Sequence, residues 1–487
     1  MIRLVKSNTS PRVFIESPLS KSMFGAIDKA TSYMVQNPEH IDNLQYQCPQ
    51  CGWTKLMMTA TSDKCGRCGS TCTIGRWDYR IRLLGMIYRG KNGEYNKYHF
   101  PIGLLPVVQE VIEAYGETIE LVGQPKKPLK TLDLTWSGPE LRNYQEETIT
   151  KAIAELNQGT GCILEMPTGA GKTTTALKIV ETLGVKTIII VHTAELMKQW
   201  HQVIKDMLGI NAGLIGDGTK SSPQPIMIAM VQTLVNMKQF PLSNYDLMIF
   251  DECHHCPANQ FYKTSMKCNS FYRLGLTATP KRTDGNELKF VAAIGQIVKT
   301  KSVIELINEG YLARPEFKFI KARTTDGSTP KTFAEAYKKQ IVGNSMRNQQ
   351  IASETIALMN DSRNVLIVVT QISHGKALQK LIPNSQFVHG TTKKPERDKA
   401  LKDFKEKKLR CLISTILGEG VDIPGMDAIV LAAAGKSQIR LVQAIGRALR
   451  NEPGKKNPIV VDVYDSGKWL RDHSQERRMA IKETFGV

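Results

Sequence analysis

Between Gly161 and Thr175 the sequence GCILEMPTGAGKTTT passes from an apolar stretch through a glycine-rich turn into Lys172 and Thr173. Glycines in such a turn let backbone N–H groups face phosphate oxygens, the lysine reaches the outer phosphates, and the threonine hydroxyl binds Mg2+. The run closes in the GxxxxGK[ST] manner, with glycine replaced at the first position of the pattern. Pro167, Thr168, Gly169, Ala170, Gly171, Lys172, Thr173 and Thr174 are therefore the residues expected around the phosphates of ATP.

Two further segments complete a phosphoryl-transfer set. Leu247 to His255, LMIFDECHH, reads as a buried strand ending on two carboxylates. At that end Asp251 is expected to join Thr173 in holding Mg2+, and Glu252 to polarise the attacking water. Cys253, His254, His255 and Cys256 are all ligand types, but adjacent residues on a tight strand end do not converge on one ion, so no metal site is read there. Gln443 to Arg450, QAIGRALR, reads as a helix in which Gln443 and Arg447 stand four apart and Arg447 and Arg450 three apart. All three share a face, from which arginines can neutralise charge on a transferring phosphoryl group.

A different chemistry is written near the amino terminus. CPQC at Cys48 to Cys51 and CGRC at Cys65 to Cys68 form two knuckles separated by 13 residues. Four thiolates so spaced can close a tetrahedral Zn2+ site, which leaves Cys72 as the spare. Such a metal staples a small module and does no catalysis. The neighbours Arg67, Arg76, Trp77, Tyr79, Arg80 and Arg82 interleave rings and cations, a pattern suited to stacking bases and holding phosphates.

The elements that must position these groups follow from hydrophobic runs. Cys162–Leu164, Thr187–Val191, Ile226–Ala229 and Leu247–Phe250 read as short buried strands separated by helical stretches, which means a parallel sheet wound on both faces. A second series follows Arg314, at Val365–Val369, Phe387–His389, Cys411–Ser414, Ala428–Ala432 and Ile459–Val463. The expected class is α/β, with two tandem RecA-like parallel-sheet motor domains at 131–305 and 306–487. An amino-terminal recognition domain at 1–130 precedes them and contains a zinc ribbon at 46–75. Gly123 to Lys130, GQPKKPLK, reads as a linker, Trp77 to Tyr115 as strands followed by one helix, and residues 1 to 45 carry no decisive periodicity.

The 65 Lys and Arg against 46 Asp and Glu leave a formal charge of +19, a field that attracts polyanions such as nucleic acid. The first residues lack the apolar core of a signal peptide and nowhere do eighteen apolar residues run together, so a soluble cytoplasmic protein without membrane contact is expected. A bacterial or phage-infected host cell is the expected setting.

With its glycine loop, DECH and QAIGRALR in this order, the chain resembles superfamily two helicases of the DExH type over about residues 140 to 465. LRNYQ at Leu141 to Gln145 looks like the family's adenine-reading segment, so Arg142 and Gln145 are implied nucleotide contacts. VHTAELMKQW at Val191 to Trp200 resembles its first strand-gripping motif, with His192 where the branch commonly has Pro. VQTL at Val231 to Leu234, LTATP at Leu276 to Pro280 and STILGEGVDIPG at Ser414 to Gly425 occupy the remaining positions. By resemblance Thr277 and Thr279 relay between ATP and nucleic acid, and Gly420 and Asp422 sense nucleotide from the second lobe. His254 couples nucleotide state to the next motif, and Thr193, Gln232, Thr233, Thr370 and Thr415 contact phosphates.

TATPKRTDGNEL, IGQIV and ELINEGYLARPEF look most like the xeroderma-pigmentosum-B-like branch, which includes phage branch-migration helicases. The implied activity is an ATP-dependent DNA helicase that remodels forked or branched DNA in replication, recombination or repair, together with proteins of those processes. Two other motors fit the same residues: a translocase for DNA uptake or restriction that does not separate strands, and an RNA-directed DExH helicase. A scaffold with a dead motor is disfavoured, because Lys172, Thr173, Asp251, Glu252, Gln443, Arg447 and Arg450 are all present.

Overall fold

The computed structural model describes residues 1–7, 10–17, 19–34, 44–47, 54–56, 73–76, 80–82, 85–88, 95–123, 126–237, 244–252, 258–278, 287–323, 330–415, 425–433, 445–449 and 456–487. The chain divides into two compact units, Met1–Glu165 with Thr173–Thr300, and Met166–Lys172 with Lys301–Val487.

The first unit is built on an eight-stranded sheet. Its order is Thr219–Lys220, Gly213–Gly216, Ile226–Met230, Thr187–Val191, Leu247–Asp251, Tyr272–Thr277, Cys162–Glu165 and Gln296–Lys299. Every pairing is parallel except that of the short Thr219–Lys220 strand. Thr187–Val191 and Leu247–Asp251 are buried along their whole length, which is why their Ile, Val, Leu and Phe run unbroken rather than alternating with polar residues. Isoleucines of these strands join Phe250, Phe261 and Phe290 in one core.

The second unit carries six parallel strands in the order Glu316–Lys321, Ile459–Tyr464, Ala428–Leu431, Val365–Val368, Cys411–Ser414 and Ser385–Val388. Its core gathers Ile351, Ile367, Phe387, Ile413, Val430 and Val461. The α/β class with two parallel motor sheets is what the apolar runs imply.

Ahead of these lies a five-stranded sheet within the first unit, in the order Ile119–Val122, Ile2–Lys6, Arg12–Ile15, Tyr95–Pro101 and Gly85–Tyr88. Helices Lys21–Ala30 and Leu105–Ala114 pack on it and on each other. The described residues of the stretch without readable periodicity thus carry strands and a helix, but Ile2–Lys6 closes on Ile119–Val122, more than a hundred residues away. A five-residue strand whose partner is that distant leaves little local signal.

This sheet is fused to the motor. Its apolar core includes Ala292, with Tyr262, Leu288 and Val291 against it, and these belong to helices Ala258–Lys267 and Glu287–Ala293 of the nucleotide lobe. A side-chain carbon on Gly103 would lie 2.0 Å from the Val291 carbonyl oxygen, so only glycine allows the approach. The buried Lys6 donates its ammonium to the Gln158 carbonyl at 3.1 Å.

A separate three-stranded antiparallel sheet has Leu44–Gln47 between Thr54–Leu56 and Thr73–Arg76. Cys48, Cys51, Cys65 and Cys68 fall in the connections of these strands and lie outside the described residues. Among the described residues no group of three or more His, Cys, Asp or Glu is placed to hold a metal ion, and no helix is long and apolar enough to cross a membrane.

Candidate nucleotide and strand-binding site

In a parallel sheet the ligand face lies beyond the carboxyl ends of the strands. The glycine loop follows the end of Cys162–Glu165 and runs into helix Lys172–Leu183. The Ala170 N–H donates to the Pro167 carbonyl at 3.1 Å, and Gly169 and Gly171 hold φ of 89° and 83°, where an L side chain would be strained. Free of Cβ at those two positions, the loop leaves its backbone open to a ligand. Lys172 and Thr173 begin the helix, half-buried, where its N–H groups and the positive end of its dipole favour an anion.

Asp251 ends Leu247–Asp251 at 5% exposure, and its Oδ2 accepts the Trp200 indole N–H at 2.7 Å. Trp200 is itself buried on helix Ala194–Leu208. The next residue, Glu252, holds φ of 46°, a left-handed backbone uncommon for a residue with Cβ that persists where the surrounding structure over-determines it. Tyr272–Thr277 pairs with Cys162–Glu165 on one side and Leu247–Asp251 on the other. Thr277 stands opposite Glu165 and Leu276 opposite Asp251. Thr277 therefore ends the strand that separates the loop-bearing strand from the one bearing the carboxylates.

Arg142 caps helix Asn143–Asn157: its backbone N–H donates to Gln145 Oε1 at 3.0 Å, and its guanidinium reaches the Tyr144 hydroxyl at 3.2 Å. This pairing fixes Gln145, which is 5% exposed. A bare glycine cradle at a helix N-terminus, a buried carboxylate held by an indole and an amide fixed at a helix start fit a nucleoside triphosphate with a divalent cation. Bound there, the two would supply a polarised phosphoanhydride for hydrolysis.

Residues 138–282 match the family described as Type III restriction enzyme, res subunit, and residues 347–452 match the helicase conserved C-terminal domain. The chain is similar to putative helicase 22 of Sulfolobus islandicus filamentous virus, 30% identical over 400 residues, which cover 75% of this chain and 71% of that protein. It is also similar to the DNA 3'-5' translocase XPB2 of Sulfurisphaera tokodaii, 30% identical over 382 residues, 70% of this chain and 84% of the relative. This chain belongs to the superfamily two helicases. The ATP-dependent DNA helicase uvsW of enterobacteria phage T4 is a further relative, 26% identical over 431 residues, covering 80% of this chain and 82% of that one. As a superfamily two helicase the protein is a nucleic-acid-dependent ATPase.

The helicase places its expected strand-gripping residues at the carboxyl ends of parallel strands in each lobe. Thr193 follows Thr187–Val191 and caps helix Ala194–Leu208, accepting from the Leu196 N–H at 3.2 Å. Gln232 and Thr233 lie in helix Val231–Asn236 after Ile226–Met230, and Gln232 Nε2 donates to the His192 carbonyl at 2.9 Å. In the second unit Thr370 follows Val365–Val368 and shares a hydrogen bond with the Tyr337 hydroxyl, while the Thr415 N–H, after Cys411–Ser414, donates to Val388 at 3.3 Å.

Arg447 is half-buried on a helical turn at 445–448, whose neighbour Leu449 accepts from the Ala313 N–H at 2.9 Å. Gln443, Arg450, Gly420, Asp422, Thr279 and His254 lie outside the described residues. Sequence reasoning missed Trp200 and Tyr337. Trp200 closes the quoted VHTAELMKQW segment and carries an apolar body that reads as core, so its N–H to Asp251 becomes visible only in three dimensions.

Proposed function

We propose that this helicase acts on DNA, remodelling forked or branched molecules in replication, recombination or repair inside the cytoplasm. The observation that carries this reading is similarity over most of the chain to motors named as a DNA translocase and a DNA helicase. The charge of +19 favours the same class of partner. Pro167 to Thr174 cradle the phosphates of ATP, with Lys172 on the outer ones; Thr173 and Asp251 hold Mg2+, Glu252 polarises water, and Arg142 and Gln145 read the base. Gln443, Arg447 and Arg450 stabilise transferring charge, Gly420 and Asp422 report nucleotide state, and the five Thr and Gln side chains at the strand ends grip phosphates. The motor domains are assigned to 131–305 and 306–487, behind a recognition domain at 1–130.

Zn2+ belongs to the amino-terminal module in this proposal. Support comes from the three-stranded antiparallel sheet whose connections carry the two Cys knuckles, since ribbons of this kind are stapled by four thiolates. Metal analysis of the purified protein beside Cys65→Ser tests it: about one Zn2+ per wild-type chain is expected, with less in the variant, and a folded metal-free wild type refutes it.

The central experiment measures ATP hydrolysis without polymer and with single-stranded DNA, a fork, a four-way junction or matched RNA at one salt concentration. Stimulation by branched or single-stranded DNA is expected. Stimulation by RNA alone would replace the substrate assignment, and DNA-stimulated hydrolysis with no strand separation in a parallel unwinding assay would favour a translocase. Lys172→Ala and Glu252→Gln are each expected to abolish the stimulated rate; normal turnover in both would sink the assigned site.

A further inference from the structure

Trp469 holds a backbone shape that large side chains avoid. Its φ of 62° and ψ of −38°, with the Leu470 N–H donating to the Lys468 carbonyl at 2.8 Å, put it at the centre of a γ-turn of the rare positive-φ hand. Strain of this kind persists where the surroundings over-determine it, and such positions cluster at ligand clamps. Both flanks are pinned here. Asp465 takes a two-pronged buried ion pair from Arg347 at 2.7 and 3.0 Å, and its N–H donates to the Ser474 hydroxyl at 3.1 Å. Leu470 is buried with Tyr337 and Ile341 in a small core. Between these anchors the indole is half-exposed, with the Lys468 ammonium 4.7 Å from its ring centre.

The Trp469 loop follows strand Ile459–Tyr464, so it leaves the second sheet at the carboxyl edge that also carries Thr370 and Thr415. Packed against the start of the C-terminal helix is a segment that passes from α winding at Phe333–Ala336 to π winding at Tyr337–Val342, a departure that often accompanies function. Tyr337 in this segment bonds the Thr370 hydroxyl. One turn earlier Phe333 is 38% exposed, its ring 5.9 Å from Tyr337 and 4.8 Å from His473. His473 lies one turn beyond Trp469 and donates its N–H to the Trp469 carbonyl at 3.1 Å. The Phe333 ring thus meets the buried His473, whose backbone bonds Trp469, and Tyr337 links the same segment to Thr370. Lys338 and Lys468, next in the chain to Tyr337 and Trp469, are exposed, while Lys339 pairs with Glu335 at 2.9 Å and Arg471 lies 3.8 Å from Asp472.

We infer that Phe333 and Trp469 form a stacking platform for the bases of a single nucleic-acid strand, with Lys338 and Lys468 on the adjoining phosphates. Rings that take base faces beside cations that take phosphates are the means by which proteins hold single strands without reading sequence. The charge of +19 favours a polyanion as the partner of this chain, and Lys468 beside the Trp469 ring puts a cation at the platform itself. The inference rests on the helicase reading above and deepens it, adding contacts to bases where Thr370 and Thr415 supply contacts to phosphates.

The test titrates the full chain with labelled oligothymidylate and with an abasic oligonucleotide of equal length, at several salt concentrations, beside Phe333→Ala, Trp469→Gly and Trp469→Phe. Glycine removes the ring and relieves the positive φ, whereas phenylalanine keeps a ring. Wild type and Trp469→Phe are expected to prefer oligothymidylate. Phe333→Ala and Trp469→Gly are each expected to bind it about tenfold more weakly, with abasic binding and the salt slope unchanged. Wild-type affinity in both ring-removing variants overturns the platform, and so does an equal loss on both oligonucleotides. Phe333→Ala removes an exposed ring and keeps the test intact should Trp469→Gly unfold. A wild type stimulated by DNA beside unaffected variants removes the platform alone, whereas a wild type that neither binds nor responds to DNA removes the helicase reading with it.

Discussion

Trp200 carries out at the residue scale what an indole rarely does in a core: it donates to a buried carboxylate, Asp251, at 2.7 Å. A hydrogen bond to a carboxylate of this kind contributes about 1.5–3 kcal/mol and fixes the rotamer of the group proposed to hold Mg2+. Trp200→Phe keeps most of the apolar contact and removes the donor. The Mg2+ concentration giving half-maximal ATP hydrolysis is expected to rise about tenfold in this variant, read from Mg2+ titrations of steady-state turnover. An unchanged midpoint would separate Trp200 from the cation site. The glycine loop, Asp251 and Glu252 can be picked out in the sequence because the chemistry proposed for them depends on residue type and chain spacing. Trp200, Tyr337 and Trp469 are not, because an aromatic ring reads as packing until its polar atom or its backbone angle is known.

Among the elements, helix Ile372–Leu381 buries His374 at 3.0 Å from the Asn348 Oδ1 atom. Burial, and then the Arg347 guanidinium, push its pKa down to about 3 from the usual 6.5. The unfolded chain therefore takes up the proton first as pH falls. Stability linked to His374 is complete above pH 6.5 and drains as pH drops from there toward 3. Unfolding by urea is expected to show a loss of about 2 kcal/mol between about pH 7.5 and 5, absent in His374→Gln; an equal loss in both proteins would assign it to other groups. The same scale shows how patterning reveals elements and where it stops. Buried strands such as Thr187–Val191 and Cys411–Ser414 stand where their apolar runs place them. Glu316–Lys321, an edge strand with alternating charge and Phe, and Tyr272–Thr277, interrupted by Arg273, do not announce themselves in that way. Arg273 is buried because Ala293, Cys268 and Ser265 each accept from its guanidinium at 2.8 Å, and those acceptors are distributed over helix ends that local sequence does not bring together.

Across the whole molecule, the amino-terminal sheet shares a core with the nucleotide lobe, and its tightest point is Gly103 against the Val291 carbonyl. Gly103→Val would force that contact apart, at a cost of about 1–3 kcal/mol. Hydrogen exchange is expected to accelerate in both Leu105–Ala114 and Glu287–Ala293, whereas acceleration in one alone would mean that the two do not open as a unit. Lys6, reaching the Gln158 carbonyl, ties the same sheet to the far end of the helix that begins beside Arg142 and Gln145. Backbone against backbone at Gly103 also has a consequence for portability. A side-chain interface can drift by compensating exchanges, but a carbonyl pressed on a glycine has nothing to exchange. Transplanting the amino-terminal sheet onto another motor will give a stable fold only if the 287–296 segment travels with it.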